Sequence, residues 1–276
     1  MKFPEPDLAD PIYLKRHGDM PWPKDKFFYL LAANGLFICR NQPFFSSCVP
    51  ARKGPAEFVN QHAFLTSRYP KIPQPLMEQA VGFFAEVGEK HGAEAALLLA
   101  WDTYQERYHL LVPKQRCSVY RLYQGTYPLG VHYELPTRLS DGWSIVGDIH
   151  SHVNGAAYAS YTDKRDERYQ PGLHIVVGRI HQEPPEFHVD AIVDGMRFMI
   201  DQTLVFQGYL HRARTSQKCL DQVEIVQVSS FQGYWHNSNR GGGYLEIAGK
   251  GDVYTCDDSS DCERNSQSQS RRGVDE

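Results

Sequence analysis

Two histidines lie one residue apart, at a spacing that could bind a metal ion. Residues 147–167 read GDIHSHVNGAAYASYTDKRDE, with the imidazoles at His150 and His152. The apolar run 143–149 before them predicts a buried strand. Residues i and i+2 of a strand point to the same side, so both imidazoles are expected to face one point. On its own, a His-x-His pair more often marks only a polar strand face.

A carboxylate completes a possible ligand set farther along the chain. The small residues 153–159 predict a loop, and a helix is expected to open at Ser160, with Asp163 in its first turn. A carboxylate there can face back toward the two histidines. Two histidine nitrogens and one carboxylate oxygen are a common three-ligand set for catalytic zinc, with the fourth position left for water. The sequence therefore predicts a zinc site made of His150, His152 and Asp163.

The full pattern is H-x-H, seven residues, S, two residues, D. It resembles the JAMM motif of the MPN (JAB/Mov34) metalloproteases, which remove ubiquitin or ubiquitin-like modifiers. The resemblance implies Zn²⁺ as the cofactor. It also implies that the Ser160 hydroxyl faces the substrate carbonyl and donates to the oxyanion that forms there. An ordinary helix N-cap is the alternative role for Ser160.

A general base is expected upstream of the motif. Apolar residues at helical spacing predict a helix from Pro73 to Gly92. An apolar strand over 93–101 follows, with Glu94 near its start, and a turn leads to a second strand over 108–113. This order resembles the opening of an MPN domain, where the glutamate at this place holds the zinc-bound water. The alternative is a solvent-facing residue at a strand start, and the competing glutamates are Glu86, Glu89, Glu106 and Glu134.

The rest of this segment predicts strands and one irregular stretch. Residues 124–142 are predicted to be irregular, either as a plain connection or as the insertion that contacts the modifier in MPN enzymes. Strands are expected over 173–180, 186–193 and 196–200. Asp148 precedes His150 by two residues and could orient its imidazole. Four further histidines are interpreted as structural or ordinary polar residues: His109, His132, His174 and His188.

The flanking regions predict two further parts of the chain. Ala33-Asn34-Gly35 between two apolar runs is a strong hairpin signal, and a third strand is expected over 43–50. We therefore predict a β-rich module over residues 1–72, serving as a cap or as a surface that binds a partner. Residues 73–210 form the predicted catalytic domain. Residues 211–276 lose apolar content and are predicted to be a largely disordered extension.

Composition excludes several protein classes. The chain has 276 residues, 41% of them hydrophobic, so it can bury a full core. Its net charge of -4 argues against a nucleic-acid binder. The sequence has neither an apolar run of about 18 residues, the length that spans a bilayer, nor an apolar N-terminal signal core, so a cytoplasmic protein without a membrane partner is expected. The six cysteines are scattered without a CxxC pair, which favours reduced thiols over a disulfide frame or a zinc finger.

The resemblance covers roughly residues 75–205. It implies an α/β (α+β) fold of the MPN/JAB, cytidine-deaminase-like type, with a curved mixed sheet flanked by helices. The hairpin FFYLLAANGLFICRNQPFFSSCVPA is similar to that of a bacterial subfamily, the protein A group of the ParB-related, ThiF-related cassette. Such proteins are encoded beside E1-like, ubiquitin-like and sometimes E2-like proteins, which are the partners that this resemblance implies.

Three functions fit the sequence. The first is a zinc isopeptidase or peptidase that hydrolyses the bond after the C-terminal glycine of a bacterial ubiquitin-like protein. The second is a non-catalytic MPN-fold scaffold that recruits partners of such a pathway. The third is a different zinc hydrolase, for example one that trims a sulfur-carrier protein or releases cysteine from it. An intact set of ligands and base argues against the scaffold, whereas the first and third functions need the same site.

Overall fold

The chain divides into two compact units. We analysed a computed structural model, which describes residues 10–43, 45–55, 61–228 and 254–255. The units are Met1–Thr66 and Ser67–Glu276, so the division lies slightly before the predicted boundary at residue 72.

The first unit is a four-stranded sheet. Its strands are β1 (Ile12–Leu14), β2 (Phe27–Ala32), β3 (Gly35–Gln42) and β4 (Phe45–Pro50), in that spatial order. β1 runs parallel to β2 and the other pairs are antiparallel. The predicted hairpin and third strand are confirmed. A small core of Phe28, Leu30 and Cys39 holds the sheet together.

The second unit begins with the predicted helix. α1 spans Gln74–His91, with Pro75 in its first turn, where a missing N–H costs no helical hydrogen bond. The helix ends at Gly92, whose backbone is left-handed with φ 63° and whose N–H donates to the Gly88 oxygen at 2.8 Å. Glycine adopts this conformation without strain. The helix therefore stops where the sequence predicted, just before Glu94.

Ten further strands complete the second unit in chain order. They are β5 (Ala96–Asp102), β6 (Arg107–Val112), β7 (Gln115–Leu122), β8 (Gly125–Tyr133), β9 (Trp143–Ser151), β10 (Gly172–Gly178), β11 (Glu186–Val193), β12 (Met196–Met199), β13 (Val223–Gln227) and β14 (Tyr254–Thr255). Seven form one sheet in the order β12-β11-β10-β9-β5-β6-β14, and three form a second sheet in the order β13-β7-β8. In the larger sheet, β9 and β10 are parallel and the other pairs are antiparallel. The predicted mixed α+β class is confirmed.

The two faces of the larger sheet differ in chemistry. Ile149, Ile175 and Val189 on one face belong to the same buried apolar cluster as the inner side chains of α1. Strand alternation sends their neighbours to the opposite face. Asp148 and His174, which are directly opposite each other on β9 and β10, are buried on that second face. The face toward α1 is therefore apolar at these strands, whereas the other face carries buried polar groups on β9 and β10 beside the buried Leu98 of β5.

The prediction of an irregular stretch over residues 124–142 is wrong for its first half. Strand β8 occupies Gly125–Tyr133 and pairs with β7. Pro128 and Gly130, both unfavourable in a central strand, hid this strand from the sequence pattern. They are accommodated because β8 is an edge strand with a register shift in its partner between Ser118 and Val119.

The predicted disorder from residue 211 is wrong over its first part. After the short helix α3 (Gln202–Val205), a further helix, α4 (Gln217–Leu220), leads into β13, which pairs in parallel with β7. Partly buried Leu220, Val223 and Ile225 pack against the main core. Residues 229–253 and 256–276, with the strand considered at 243–247, lie outside the described residues. Among the helices that the structure describes, none is both long and apolar enough to cross a bilayer.

A substitution at Gly147 tests the contact between β9 and β10. A Cβ at this position would lie 1.9 Å from the Leu173 carbonyl oxygen, so Gly147→Ala must push the two strands apart. We expect the free energy of unfolding to fall by about 2–3 kcal/mol, the usual cost of forced overpacking, as measured by urea denaturation.

The control for this substitution is Gly18→Ala. A Cβ at Gly18 would have no heavy atom within 4 Å among those considered, and we expect a change within about 0.5 kcal/mol. An unchanged unfolding midpoint for Gly147→Ala would contradict the close strand approach.

Candidate metal centre

The two motif histidines lie at the end of the central strand β9. His150 pairs with Ala96 of β5 on one side and with Val176 of β10 on the other. The backbone N–H of His152 donates to the Val177 oxygen at 2.9 Å. Neighbouring strands thus hold the backbone of both histidines and fix the positions from which the two imidazoles project.

The loop after β9 orients the imidazole of His152. Its Nδ1 lies 3.2 Å from the Ala156 carbonyl oxygen. A carbonyl oxygen can only accept, so Nδ1 carries the hydrogen and Nε2 keeps its lone pair. The loop passes so close to Gly178 that a Cβ there would lie 2.3 Å from the Ala157 nitrogen. A glycine at the end of β10 therefore lets the loop take the path that sets this tautomer.

Asp163 is held by the cap of a short helix. α2 spans Tyr161–Asp166, and Ser160 is its N-cap. The Asp163 N–H donates to Ser160 Oγ at 3.2 Å, and the Ser160 N–H donates to Asp163 Oδ2 at 2.6 Å. This capping box fixes both side chains. The predicted N-cap of Ser160 is confirmed.

The three predicted ligands converge. Asp163 Oδ2 lies 3.6 Å from His150 Nε2 and 3.5 Å from His152 Nε2, and one ligand atom from each residue lies within 4.8 Å of the others. Ligand atoms about 2.0–2.1 Å from a tetrahedral zinc ion lie roughly 3.4 Å apart. In addition, His150 Nε2 is buried without a hydrogen-bond partner in the described part of the chain. Donor types, spacing and this orphaned nitrogen all fit a bound divalent metal.

The electrostatics of the site also favour a cation. Burial by itself lowers the pKa of His150, but Asp148 and Asp163 raise it well above its ordinary value. Burial raises the pKa of Asp163, yet the imidazoles of His150 and His152, 3.6 and 3.5 Å away, hold it far below the usual range. The Asp163 carboxylate is therefore ionised, and positive charge is stabilised at His150.

Glu94 lies two residues before β5, the strand that pairs with β9. The N–H of Ala95 donates to Ser151 Oγ at 3.2 Å, and the Ser151 N–H donates to the Ala95 oxygen at 3.0 Å. Continuing the pairing of Ala96 with His150 by two residues places Glu94 opposite His152, on the same face. Burial raises the pKa of the Glu94 carboxyl, although His152 and His150 act to lower it. Glu94 is thus beside the three converging groups.

Behind the site lies a buried ionic network. Asp148 Oδ1 is 3.8 Å from His150 Nδ1, and Asp148 Oδ2 is 2.9 Å from His174 Nδ1. Arg197 binds Glu167 and Asp190, each at 2.6 Å. Burial lowers the pKa of His174, but Asp148 outweighs it and raises this pKa to about 9. His174 is therefore a cation at neutral pH.

The network decides between two candidate metal sites. Asp148, His150 and Glu167 also lie close enough to share an ion. However, His174 and Arg197 already neutralise the two carboxylates of that set. Asp163 instead faces His150 and His152, at 3.6 and 3.5 Å, and is not paired with His174 or Arg197, so His150, His152 and Asp163 are the better candidate set for a metal.

Sequence reasoning missed the partner of His174. The prediction that it had only a structural role overlooked that β10 places it directly opposite Asp148. The available signal was a single histidine within the apolar run of residues 173–177. The remaining histidines fit the prediction better: His109 stacks on Trp143 with ring centroids 3.9 Å apart, and His188 binds Asp190 at 2.9 Å.

A comparison with protein families gives one match to this chain. Residues 81–192 match the family described as "Prokaryotic homologs of the JAB domain". This match supports the predicted relationship of the chain to the JAB/MPN family. The mixed α+β architecture is consistent with the fold of that family, which includes both peptidases and inactive members. The matched segment contains all five predicted site residues. A comparison with curated proteins returned no match.

Two solved structures show local similarity only. The solution structure of protein DSY2949 from Desulfitobacterium hafniense is 15% identical, covering 59% of this chain and 95% of that chain, with a TM-score of 0.29. The solution structure of a protein from Salinibacter ruber is 15% identical, covering 49% of this chain and 90% of that chain, with a TM-score of 0.28.

Substitution of Asp163 tests the metal site. Asp163→Asn keeps an oxygen that can accept from the helix cap but removes the charge of the ligand. Because a ligand that binds only the folded state raises the unfolding temperature, zinc should stabilise the wild type and fail to stabilise Asp163→Asn. The control is Asp166→Asn in the same helix, which should respond to zinc like the wild type. Equal stabilisation of all three proteins would contradict the assignment.

Zinc affinity should also depend on pH in a set direction. The pKa of His150 is raised in the metal-free protein, and a proton on it must leave before the imidazole binds a metal. Zinc affinity should therefore fall as the pH is lowered, by roughly tenfold per pH unit for each proton displaced. Competition with a chromophoric chelator between pH 8 and pH 6 measures this slope, and a flat profile would count against histidine ligation.

Proposed function

We propose that this protein is a zinc-dependent peptidase of the JAMM type. In this proposal it hydrolyses the peptide or isopeptide bond after the C-terminal glycine of a bacterial ubiquitin-like protein. The observation that carries the proposal is the position of Glu94. The half-buried carboxylate of Glu94 lies beside the three converging side chains without belonging to the set that could hold the metal. A purely structural metal site has no need of such a group.

Each side chain has a defined role in this proposal. His150, His152 and Asp163 hold the metal, which when bound acts as a Lewis acid and lowers the pKa of its water to about 7. Glu94 accepts a proton from water as the scissile carbonyl is attacked and returns it to the leaving amine. A pKa raised by burial suits a carboxyl that must both accept and release a proton near neutrality. Ser160 donates its hydroxyl hydrogen to the developing oxyanion.

The substrate class rests on the family match and on the JAMM-like spacing. E1-like and E2-like proteins are further partners expected from the resemblance of the flanking hairpin. A cytoplasmic location belongs to the same proposal, since such conjugation partners act there.

Glu94→Gln is the decisive variant for catalysis. Loss of the base should lower kcat by about 10²- to 10⁴-fold, while zinc affinity stays near that of the wild type because Glu94 is not a ligand. The test substrate is a bacterial ubiquitin-like protein extended by a short peptide after its terminal glycine. Cleavage is followed by mass spectrometry, with and without a chelator.

The matched control is Glu89→Gln on α1. This carboxylate is largely exposed and is 3.4 Å from Arg212, so its loss should leave cleavage unchanged. Cleavage that survives both the chelator and Glu94→Gln would overturn the proposal. Binding of the ubiquitin-like protein without cleavage of any extension or conjugate would favour the scaffold instead.

A further inference from the structure

The face of the sheet behind the metal ligands holds a histidine that no role in hydrolysis requires. His174 is almost fully buried on β10, directly opposite Asp148. Its Nδ1 is 2.9 Å from Asp148 Oδ2, and its Nε2 is 3.0 Å from the Gln170 carbonyl oxygen. Both acceptors are oxygen atoms, so both ring nitrogens donate. The ring is therefore held at two points and cannot rotate without breaking a buried hydrogen bond.

Asp148 divides its two oxygens between two histidines. Oδ2 accepts from His174, while Oδ1 faces His150 Nδ1 at 3.8 Å. Asp148 and His150 lie on one strand face, two residues apart. The orientation of the carboxylate thus determines whether Oδ1 points at the ligand imidazole. With His174 holding the other oxygen, Oδ1 is aimed at Nδ1 and the opposite ring nitrogen, Nε2, faces Asp163.

We propose that His174 is a positioning residue for the metal centre, acting on His150 through Asp148. His174 touches neither the metal ligands' donor atoms nor the reacting groups. It fixes the Asp148 carboxylate, whose negative charge lies 3.8 Å from His150 Nδ1, beyond hydrogen-bond distance, and favours the His150 tautomer with hydrogen on Nδ1 and a lone pair on Nε2. Groups that orient a ligand imidazole in this way typically contribute 10- to 100-fold to metal affinity.

The rest of the network supports this role. Glu167 Oε1 lies 3.8 Å from His174 Nδ1, and Arg197 binds Glu167 at 2.6 Å. Arg197 also binds Asp190 on β11 at 2.6 Å. These contacts link four elements behind the ligand strand. A rigid, charge-balanced support explains why so many ionisable groups are buried on this face.

Two substitutions of His174 distinguish a role in positioning Asp148 from a role in filling space. In His174→Asn, the side-chain amide nitrogen takes the place of Nδ1 and can still donate to Asp148. In His174→Gln, the amide nitrogen takes the place of Nε2 and donates to the Gln170 oxygen instead. Both variants remove the same charge and leave a polar side chain of similar size. They differ in which of the two hydrogen bonds is retained.

Zinc affinity of the full chain is measured by competition with a chromophoric chelator. We expect His174→Gln to bind zinc about 10- to 100-fold more weakly and His174→Asn to stay within about fivefold of the wild type. Cobalt(II) absorption, which reports ligand geometry, should change in His174→Gln and be restored in His174→Asn. Urea unfolding of the metal-free proteins shows whether both variants are folded.

His109→Gln is the matched control. It removes a buried strand histidine whose Nε2 lies 3.9 Å from Asp102 Oδ2, and this pair shares no residue with the network of Asp148, His174, Glu167, Arg197 and Asp190. Its zinc affinity should equal that of the wild type. Equal affinities for the two His174 variants, or wild-type affinity in His174→Gln, would overturn the positioning role.

This inference rests on the metal centre of the proposed function. The experiment distinguishes failure of the metal centre from failure of the positioning role. If the wild type binds no zinc, the metal centre itself is wrong. If the wild type binds zinc and the two His174 variants do not differ, only the positioning role is wrong. Neither result depends on finding the substrate, because the readouts are affinity and spectrum.

Discussion

One carboxylate oxygen, Asp163 Oδ2, joins the parts of the structure that make the site. It accepts the Ser160 N–H at 2.6 Å and lies within 3.6 Å of Nε2 of both motif histidines. The same atom therefore closes the first turn of α2 and faces the end of β9. Helix capping and ligand placement are thus one interaction. A change that displaced α2 would remove both together.

The larger sheet makes this convergence of side chains possible because its two faces differ in chemistry. The face toward α1 buries branched apolar side chains and provides the stability of the domain. The opposite face buries charges, which is costly unless each is paired. Here Asp148 is paired with His174, and Glu167 with Arg197. The ligand set is left with an unpartnered imidazole nitrogen and an ionised carboxylate, which is the charge pattern that a divalent cation satisfies.

The sequence predicted the local elements around the motif because each carries a local signal. Period-two alternation placed His150 and His152 on one face, and Gly92 marked the end of α1. Ser160 and Asp163 form a recognisable capping pair. The position of Glu94 came from the order of helix and strand, since the pairing of Ala95 with Ser151 joins residues far apart in the chain.

The features that the sequence did not predict depend on partners remote in the chain. Strand β8 contains Pro128 and Gly130 and is stabilised by pairing with β7 rather than by its own propensity. β13 is only five residues long and is followed by a stretch of low apolar content, and its place is set by parallel pairing with the same strand. His174 looked like an isolated polar residue until β10 was aligned beside β9. In each case the deciding contact lies between strands, where local pattern carries no information.

The most direct test of the central claim is anomalous diffraction at the zinc absorption edge from crystals of the zinc-loaded protein. The account predicts one strong peak about 2.0–2.2 Å from His150 Nε2, His152 Nε2 and a carboxylate oxygen of Asp163, with Glu94 nearby but not bound. A zinc peak between Asp148 and Glu167 would contradict it. So would the absence of a peak near His150 in crystals in which zinc fully occupies another site.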